Sequence, residues 1–183
     1  MEDIEHSVLQ GQVVWFFGRP CAGKTTIAGR LAEVLRDQDF PVITLDGDEL
    51  RGTVNRDLNF SPQGRTENIR RSAEIAGILA NKGFIVLCSF VTPTNDLRNL
   101  VRNTLMNVKV KMVYIKTSLE ECKRRDSKGQ YKQAQAGRIT DFTGIGSPFE
   151  EPADSYGFLN TEGLTVEQAV AECLQYVIPK SGF

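Results

Sequence analysis

The segment Gly18-Arg19-Pro20-Cys21-Ala22-Gly23-Lys24-Thr25, followed by Thr26, fits the pattern G-x-x-x-x-G-K-[ST]. Glycines at these positions let the backbone turn tightly, so that its N–H groups can surround phosphate oxygens. We expect the Lys24 ammonium to reach β- and γ-phosphates and the Thr25 hydroxyl to bind Mg²⁺. The pattern predicts a nucleoside triphosphate site. The alternative is a glycine-rich turn that holds an incidental lysine.

The acidic residues near this loop indicate the class of triphosphate-binding protein. The hydrophobic run at 84–89 ends without an acid, whereas Asp46 and Asp48 follow the apolar run at 42–45. The sequence also lacks the N-K-x-D motif of guanine recognition. We therefore favour a small-molecule kinase, in which Asp48 orients or deprotonates an acceptor hydroxyl. The alternative is that both acids serve a turn and a helix cap.

Arginines are concentrated between residues 51 and 71, where five of them face only two acids in a chain of net charge −1. Guanidinium groups bind phosphate or sulfate oxygens in pairs, which predicts an anionic acceptor. Arg65 and Asn68 are three residues apart and share a helix face. The alternative is a solvated helix face with i,i+4 ion pairs. Phe60 and Phe142 lie in polar surroundings, where they either stack on a purine or fill the core.

Short apolar runs alternate with longer amphipathic ones, which is typical of a βα fold with a parallel sheet. We predict strands at 13–17, 42–45, 84–87 and 108–115 and a helix at 24–35. A second helix begins at Ser61-Pro62 and ends at Gly83, and a capping box of Thr165 and Gln168 begins the last. Residues 137–152 contain three glycines and two prolines without apolar periodicity. We interpret them as a lid.

Composition bounds the remaining possibilities. A chain of 183 residues, 40% hydrophobic and 25% charged, predicts one globular domain over residues 1–183. No apolar run could span a membrane, and near-neutral charge argues against a nucleic-acid partner. The single histidine, His6, excludes His-based triads and metal sites. Four separated cysteines and the acidic start at residues 1–5 predict reduced thiols, no export signal and a cytoplasmic location.

Ordered blocks from about residue 13 to residue 161 resemble the adenylylsulfate kinase family, whose members phosphorylate the 3′-hydroxyl of adenosine 5′-phosphosulfate with ATP. The blocks beyond the phosphate loop are Leu45-Asp46-Gly47-Asp48 with Arg51, Asn55-Arg56-Asp57-Leu58 with Phe60, Glu67-Asn68-Ile69-Arg70-Arg71, Arg125-Asp126, Lys128-Gly129, Tyr131-Lys132 and Phe142-Thr143-Gly144-Ile145. Such ordered blocks are more specific than the phosphate loop alone. With the βα pattern, they imply an α/β, three-layer P-loop NTPase fold. Its five-stranded sheet is mostly parallel, and a lid makes it similar to nucleoside monophosphate kinases.

The resemblance also implies roles for individual residues. Arg125 and the backbone near Leu164 match the ATP base site. The matching acceptor residues are Asp48, Arg51, Phe60, Arg65, Asn68, Val91, Thr92, Lys128 and Phe142. Of the matched residues, Lys24, Asp48 and Thr92 are predicted to be catalytic, and Phe60 and Phe142 to enclose the adenine. The family further implies Mg²⁺ and a homodimer.

Several positions depart from the family pattern. Thr92 stands where the family has a serine that is sometimes described as a phosphorylated intermediate. Because in-line transfer needs no protein nucleophile, we favour direct transfer. Asn59, Gln130 and Gly146 replace the usual residues in the acceptor and lid segments, and Arg19-Pro20-Cys21 replaces small residues in the phosphate loop. These changes affect the identity of the acceptor more than the type of reaction.

We therefore predict a kinase that converts adenosine 5′-phosphosulfate and ATP into 3′-phosphoadenosine 5′-phosphosulfate and ADP, a step of sulfate activation and assimilation. One alternative is a related P-loop kinase for a different nucleotide-linked anion. The other is a nucleotide-binding regulatory module without turnover. Because Lys24, Thr25 and Asp48 occur together, and a binding module has no need of the acid, the kinase is favoured.

Overall fold

The computed structural model describes residues 11–152 and 156–178. The acidic start and His6 lie outside the described residues. The strands are β1 (Gln12–Phe17), β2 (Val42–Asp46), β3 (Ile85–Phe90), β4 (Lys109–Lys116) and β5 (Gly157–Asn160). The helices are α1 (Lys24–Arg36), α2 (Gly47–Gly52), α3 (Pro62–Ala80), α4 (Asn95–Thr104), α5 (Leu119–Arg124), α6 (Gln130–Gln135) and α7 (Val166–Val177). Within the described ranges, no helix has the length and apolar character needed to cross a membrane.

The five strands form one sheet in the order β2-β3-β1-β4-β5, and every neighbouring pair is parallel. Strand β1 is buried along its whole length because helices cover both faces of the sheet. Val14 and Phe16 belong to a core with α1 and α7, whereas Val13, Trp15 and Phe17 belong to a second core with α3 and α4. This alternation produces the three predicted layers.

The strand order places a crevice at the carboxyl ends of β1 and β3. From β1 the chain crosses over β3 to reach β2, and from β3 it crosses over β1 to reach β4. The two connections therefore leave neighbouring strand ends in opposite directions. Such switch points are the usual ligand sites of open parallel sheets. The segment that follows β1 is the phosphate loop.

Most predicted elements are confirmed, and two of their boundaries are wrong. The strands predicted at 13–17, 42–45 and 108–115 and the helix at 24–35 differ from the structure by one residue at most at either end. Helix α3 ends at Ala80 rather than Gly83, because residues 81–83 turn away and the Gly83 N–H bonds to the Ala80 carbonyl. Strand β3 runs to Phe90 rather than Leu87. Helix α4 went unpredicted because it is polar and buries only Leu97, Arg98 and Val101.

Trp15 ties β1 to the segment that follows β3. Its ring stacks on Phe90 with centroids 4.5 Å apart, and its Nε1 donates a hydrogen bond of 2.9 Å to Thr92 Oγ1. Trp15 and Thr92 are 0% and 1% exposed, so water cannot replace this bond. The Thr92 hydroxyl therefore has a structural partner.

We predict that Thr92→Val lowers the free energy of unfolding by about 1–3 kcal/mol, because it leaves the buried indole N–H without an acceptor. Valine keeps the shape and β-branching of threonine at this backbone φ of +40°, so the change isolates the hydroxyl. Urea denaturation followed by circular dichroism measures the loss. Thr92→Ser, which retains a hydroxyl, is the control. Equal stability of Thr92→Val and the parent protein would contradict the assigned role of the bond.

Candidate active site

The phosphate loop depends on two glycines. A Cβ at Gly18 would lie 2.4 Å from the Ile115 carbonyl oxygen, so only glycine lets the loop leave β1 this close to β4. Gly23 precedes α1 with a φ of +98°, which glycine adopts without strain. The loop therefore brings the N-terminus of α1 to the carboxyl end of the sheet, where its N–H groups are suited to bind phosphate.

The Lys24 side chain is buried inside the loop. Its Nζ donates hydrogen bonds to the carbonyl oxygens of Gly18, at 3.1 Å, and Arg19, at 2.7 Å. Burial lowers the pKa of Lys24 to about 8, since removal from water disfavours the charged form. An incoming phosphate would be a stronger acceptor than these carbonyls and would favour the charged amine.

Thr25 and Asp46 form a second polar contact beside the loop. The Thr25 hydroxyl donates to Asp46 Oδ2 at 2.7 Å, and Asp46 Oδ1 accepts from the backbone N–H groups of Asp48 and Glu49. Asp46 is thus the cap of α2, as the structural alternative proposed, and it also orients the Thr25 hydroxyl. A hydroxyl next to a carboxylate is a donor set that suits Mg²⁺, which prefers oxygen ligands.

A cavity of about 960 Å³ opens at this edge of the sheet, which is at the large end of the range for ligand sites. It brings together most of the predicted ATP residues. Those that line it are Pro20, Cys21, Ala22, Gly23, Lys24, Thr25, Thr26, Arg125 and Leu164. The predicted acceptor residues Asp48, Phe60, Arg65, Val91, Lys128 and Phe142 line the same cavity. Donor and acceptor candidates therefore face one space.

Asp48 and Lys128 meet across the cavity wall. Lys128 Nζ lies 2.6 Å from Asp48 Oδ2, and both side chains are mostly exposed. This hydrogen bond raises the pKa of Lys128 above its usual value. The pair joins α2 to the turn before α6. The Lys128 ammonium therefore compensates the negative charge of Asp48, the carboxylate predicted to act on the acceptor.

Arg65 contacts the predicted lid segment, residues 137–152. Its guanidinium donates to the Asp141 carbonyl oxygen and, at 3.2 Å, to Thr143 Oγ1. Phe142 packs edge-to-face on Tyr131, whereas the exposed Phe60 ring lies under the Arg51 guanidinium at 4.3 Å. Both rings line the cavity, and each is held by a different neighbour.

Five predicted site residues do not line the cavity. Gly18 lies at the end of β1, and the Arg19 side chain forms an ion pair with Glu151. Arg51 donates to the Leu58 and Asn59 carbonyl oxygens, and the Asn68 amide oxygen accepts from Asn55. The Thr92 hydroxyl accepts from Trp15, as described above.

The surface alternative holds for part of the arginine segment. Arg70 pairs with Glu67 and Glu74, and Arg71 pairs with Glu67 and Asp57, all on or beside the exposed face of α3. Only Arg65 among the five arginines lines the cavity. The positive charges of the arginine segment therefore serve two places, the ion pairs on the surface of α3 and the cavity.

The positions that depart from the family pattern divide between the cavity, which Pro20 and Cys21 of the phosphate loop line, and places outside it. Asn59 Oδ1 accepts from the Ser61 N–H and hydroxyl groups, which supports the start of α3. Gly146 lies in a turn whose N–H bonds to the Phe142 carbonyl. Four further departures are single positions, and of these Gln130 lines the cavity, whereas Asn59, Thr92 and Gly146 do not.

The structure adds residues that the sequence analysis missed. Four residues of the predicted lid segment also line the cavity, namely Arg138, Ile139, Thr140 and Thr143. Ser89 pairs in register with Asp46, and its buried hydroxyl has no hydrogen-bond partner among the described residues. Extending the third predicted strand by three residues would have placed Ser89 at this edge. No feature of the sequence pattern would have indicated that the lid residues line the cavity.

Comparisons with known proteins agree with this geometry. A family model described as adenylylsulphate kinase matches residues 10–157. The adenylyl-sulfate kinase of Bacteroides thetaiotaomicron is 39% identical over 96% of this chain and 86% of its own length.

Two solved structures are also similar. The Mycobacterium tuberculosis APS kinase CysC, in complex with AMPPNP and APS, has a TM-score of 0.88 at 35% identity, covering 91% of this chain and 96% of its own. A hexameric APS kinase from Thiobacillus denitrificans has a TM-score of 0.69 at 26% identity, covering 90% of this chain and 28% of its own. The family resemblance and the P-loop kinase fold are confirmed, and the chain belongs to the adenylylsulfate kinase family.

Proposed function

We propose that this protein transfers the γ-phosphate of ATP to the 3′-hydroxyl of adenosine 5′-phosphosulfate. The products are 3′-phosphoadenosine 5′-phosphosulfate and ADP. The observation that carries this proposal is that the phosphate loop and the acceptor candidates Asp48, Phe60 and Arg65 line one cavity. The family assignment supports the same reaction.

The donor side holds the triphosphate. The backbone N–H groups of residues 18–25 and the Lys24 ammonium take the phosphates, while Arg125 and Leu164 border the base. Glu121 and Thr161 fix the Arg125 guanidinium through hydrogen bonds of 2.7–3.1 Å. Thr25, oriented by Asp46, would hold Mg²⁺, which neutralises phosphate charge when it is bound.

The acceptor side places the hydroxyl. Asp48 orients it or takes its proton, and Arg65 and Lys128 compensate the negative charges of the phosphosulfate. The Phe60 and Phe142 rings offer faces for the adenine. Transfer is direct, because the buried Thr92 hydroxyl is bonded to Trp15 and does not line the cavity.

Other parts of the proposal rest on composition and, for the homodimer, on the family resemblance. They are a single kinase domain over residues 1–183 with a lid at 137–152, a homodimer and a cytoplasmic location. One solved relative is named as hexameric, which differs from the homodimer predicted for this chain. These properties stay predictions for this chain.

We predict that ADP release in a coupled assay requires both Mg·ATP and adenosine 5′-phosphosulfate. The cytidine and uridine analogues should react more slowly, because aromatic faces stack more strongly on a purine. Adenosine 5′-monophosphate is the control for the sulfate group. A preference for another nucleotide anion would favour the alternative kinase, and no turnover in protein that still binds ATP would favour the regulatory module.

We predict that Asp48→Asn lowers kcat by about 10²-fold or more, since the amide cannot accept the hydroxyl proton. ATP affinity, measured by calorimetry, should change little because Asp48 lies on the acceptor side. Glu49→Gln is the matched control, since its carboxylate is adjacent in sequence but outside the cavity lining. Turnover of Asp48→Asn near that of the parent protein would remove Asp48 from its role.

We predict that ATP binding takes up a proton at about pH 8.5, because phosphate raises the pKa of Lys24 from about 8. Below the unliganded pKa the amine is already charged, so uptake through Lys24 appears only as pH rises past it. Calorimetry in two buffers of different ionisation enthalpy gives the number of protons taken up. Lys24→Met should abolish this component, and unchanged uptake in that variant would refute the assignment.

A further inference from the structure

The last part of the predicted lid, residues 149–151, packs against the core through the partly buried Phe149; we call it the lid exit. The Phe149 ring packs under two guanidinium groups, with Arg19 at 4.6 Å and Arg98 at 5.2 Å, and it stacks on Tyr114 at 5.8 Å. The Glu150 N–H donates to the Pro93 carbonyl oxygen at 2.9 Å. This part of the lid therefore has fixed partners.

Arg98 supplies the buried support for the lid exit. It is fully buried, and its guanidinium donates to the carbonyl oxygens of Thr92, Pro93 and Glu150 and to Asn95 Oδ1. All four acceptors are neutral, so Arg98 acts as a rigid hydrogen-bond hub. It joins the lid exit to the segment after β3, where Val91 lines the cavity.

Arg19 connects the lid exit to the phosphate loop. Its Nη1 lies 2.8 Å from Glu151 Oε1, and the Tyr114 hydroxyl donates to Glu151 Oε2 at 2.7 Å. The carbonyl oxygen of Arg19 accepts a hydrogen bond of 2.7 Å from the Lys24 ammonium. One residue thus contacts the phosphate-binding lysine through its backbone and the lid through its side chain.

We propose that Arg19 and Glu151 form a tether that positions the lid against the loaded phosphate loop. Arg19 is then a positioning residue for phosphoryl transfer, although its side chain lies outside the cavity. When phosphate draws Lys24 away from the Arg19 carbonyl, the tether keeps the loop in place. The same contact holds the lid exit, so occupancy of the loop steadies lid residues 138–143. The kinetic consequence rests on the proposed function.

The first test is kinetic. Arg19→Gln and Glu151→Gln should each raise the KM for ATP by about 5-fold or more, within the usual range of coupling between sites. The double variant should be no worse than either single variant, since both remove one interaction. Arg30→Gln is the matched control because Arg30 forms an exposed ion pair with Glu33. The proposal would be overturned if the two increases in the KM for ATP were additive in the double variant, or if Glu151→Gln left that KM unchanged.

The second test does not need the acceptor. Hydrogen–deuterium exchange of peptides covering 138–152 is measured with and without a saturating non-hydrolysable ATP analogue. The analogue should slow exchange in the parent protein and in Arg30→Gln, and this slowing should be lost in Arg19→Gln and Glu151→Gln. Retained slowing in both tether variants would refute the inference, even if adenosine 5′-phosphosulfate is not the acceptor. Failure of the parent protein to turn over that acceptor would instead count against the proposed function.

Discussion

A positive charge buried at the start of α1 is the constraint on which the site depends. An ammonium removed from water must be hydrogen-bonded, and the carbonyl oxygens of Gly18 and Arg19 meet that need for Lys24. The loop must curl around the amine to do so, which its glycines allow. Because β1 is packed on both faces, the loop has a fixed origin. The phosphate site is therefore set by the core beneath it.

Guanidinium groups organise the remaining parts of the site. Arg65 reaches the lid from α3, and Arg98 holds the other end of the lid from α4. Both donate to backbone carbonyl oxygens and so help to fix the course of the chain, and Arg65 also lines the cavity. Arg70 and Arg71 remain on the surface with carboxylate partners. A near-neutral chain can thus concentrate cationic groups around one cavity.

The sequence was most informative where one physical rule dominates. A continuous apolar run predicted the buried strand β1, and a capping box predicted the start of α7. Helix α4 escaped prediction because a fully buried arginine, Arg98, replaces an apolar residue on its inner face. The burial of that charge depends on Glu150, which is 52 residues away in sequence. Long-range contacts of this kind leave no local pattern.

The same limit applies to the roles of individual residues. The sequence pattern indicated Asp48 and Phe142 and the resemblance added Lys128, and all three line the cavity. Neither could indicate that Asn59 supports the turn before α3 or that Thr92 serves Trp15, because those contacts depend on packing. Asn59 and Thr92 therefore have structural partners, whereas the departures at Pro20, Cys21 and Gln130 lie in the cavity wall.

The position of Trp15 has a spectroscopic consequence. It is the chain's single tryptophan, and its indole N–H points to the segment that follows β3. Phe90, on which it stacks, lines the cavity together with Val91. Its emission therefore originates from one buried place next to the cavity wall that Phe90 and Val91 form. The protein carries an intrinsic optical probe of that wall, so changes there can be followed without attaching a dye.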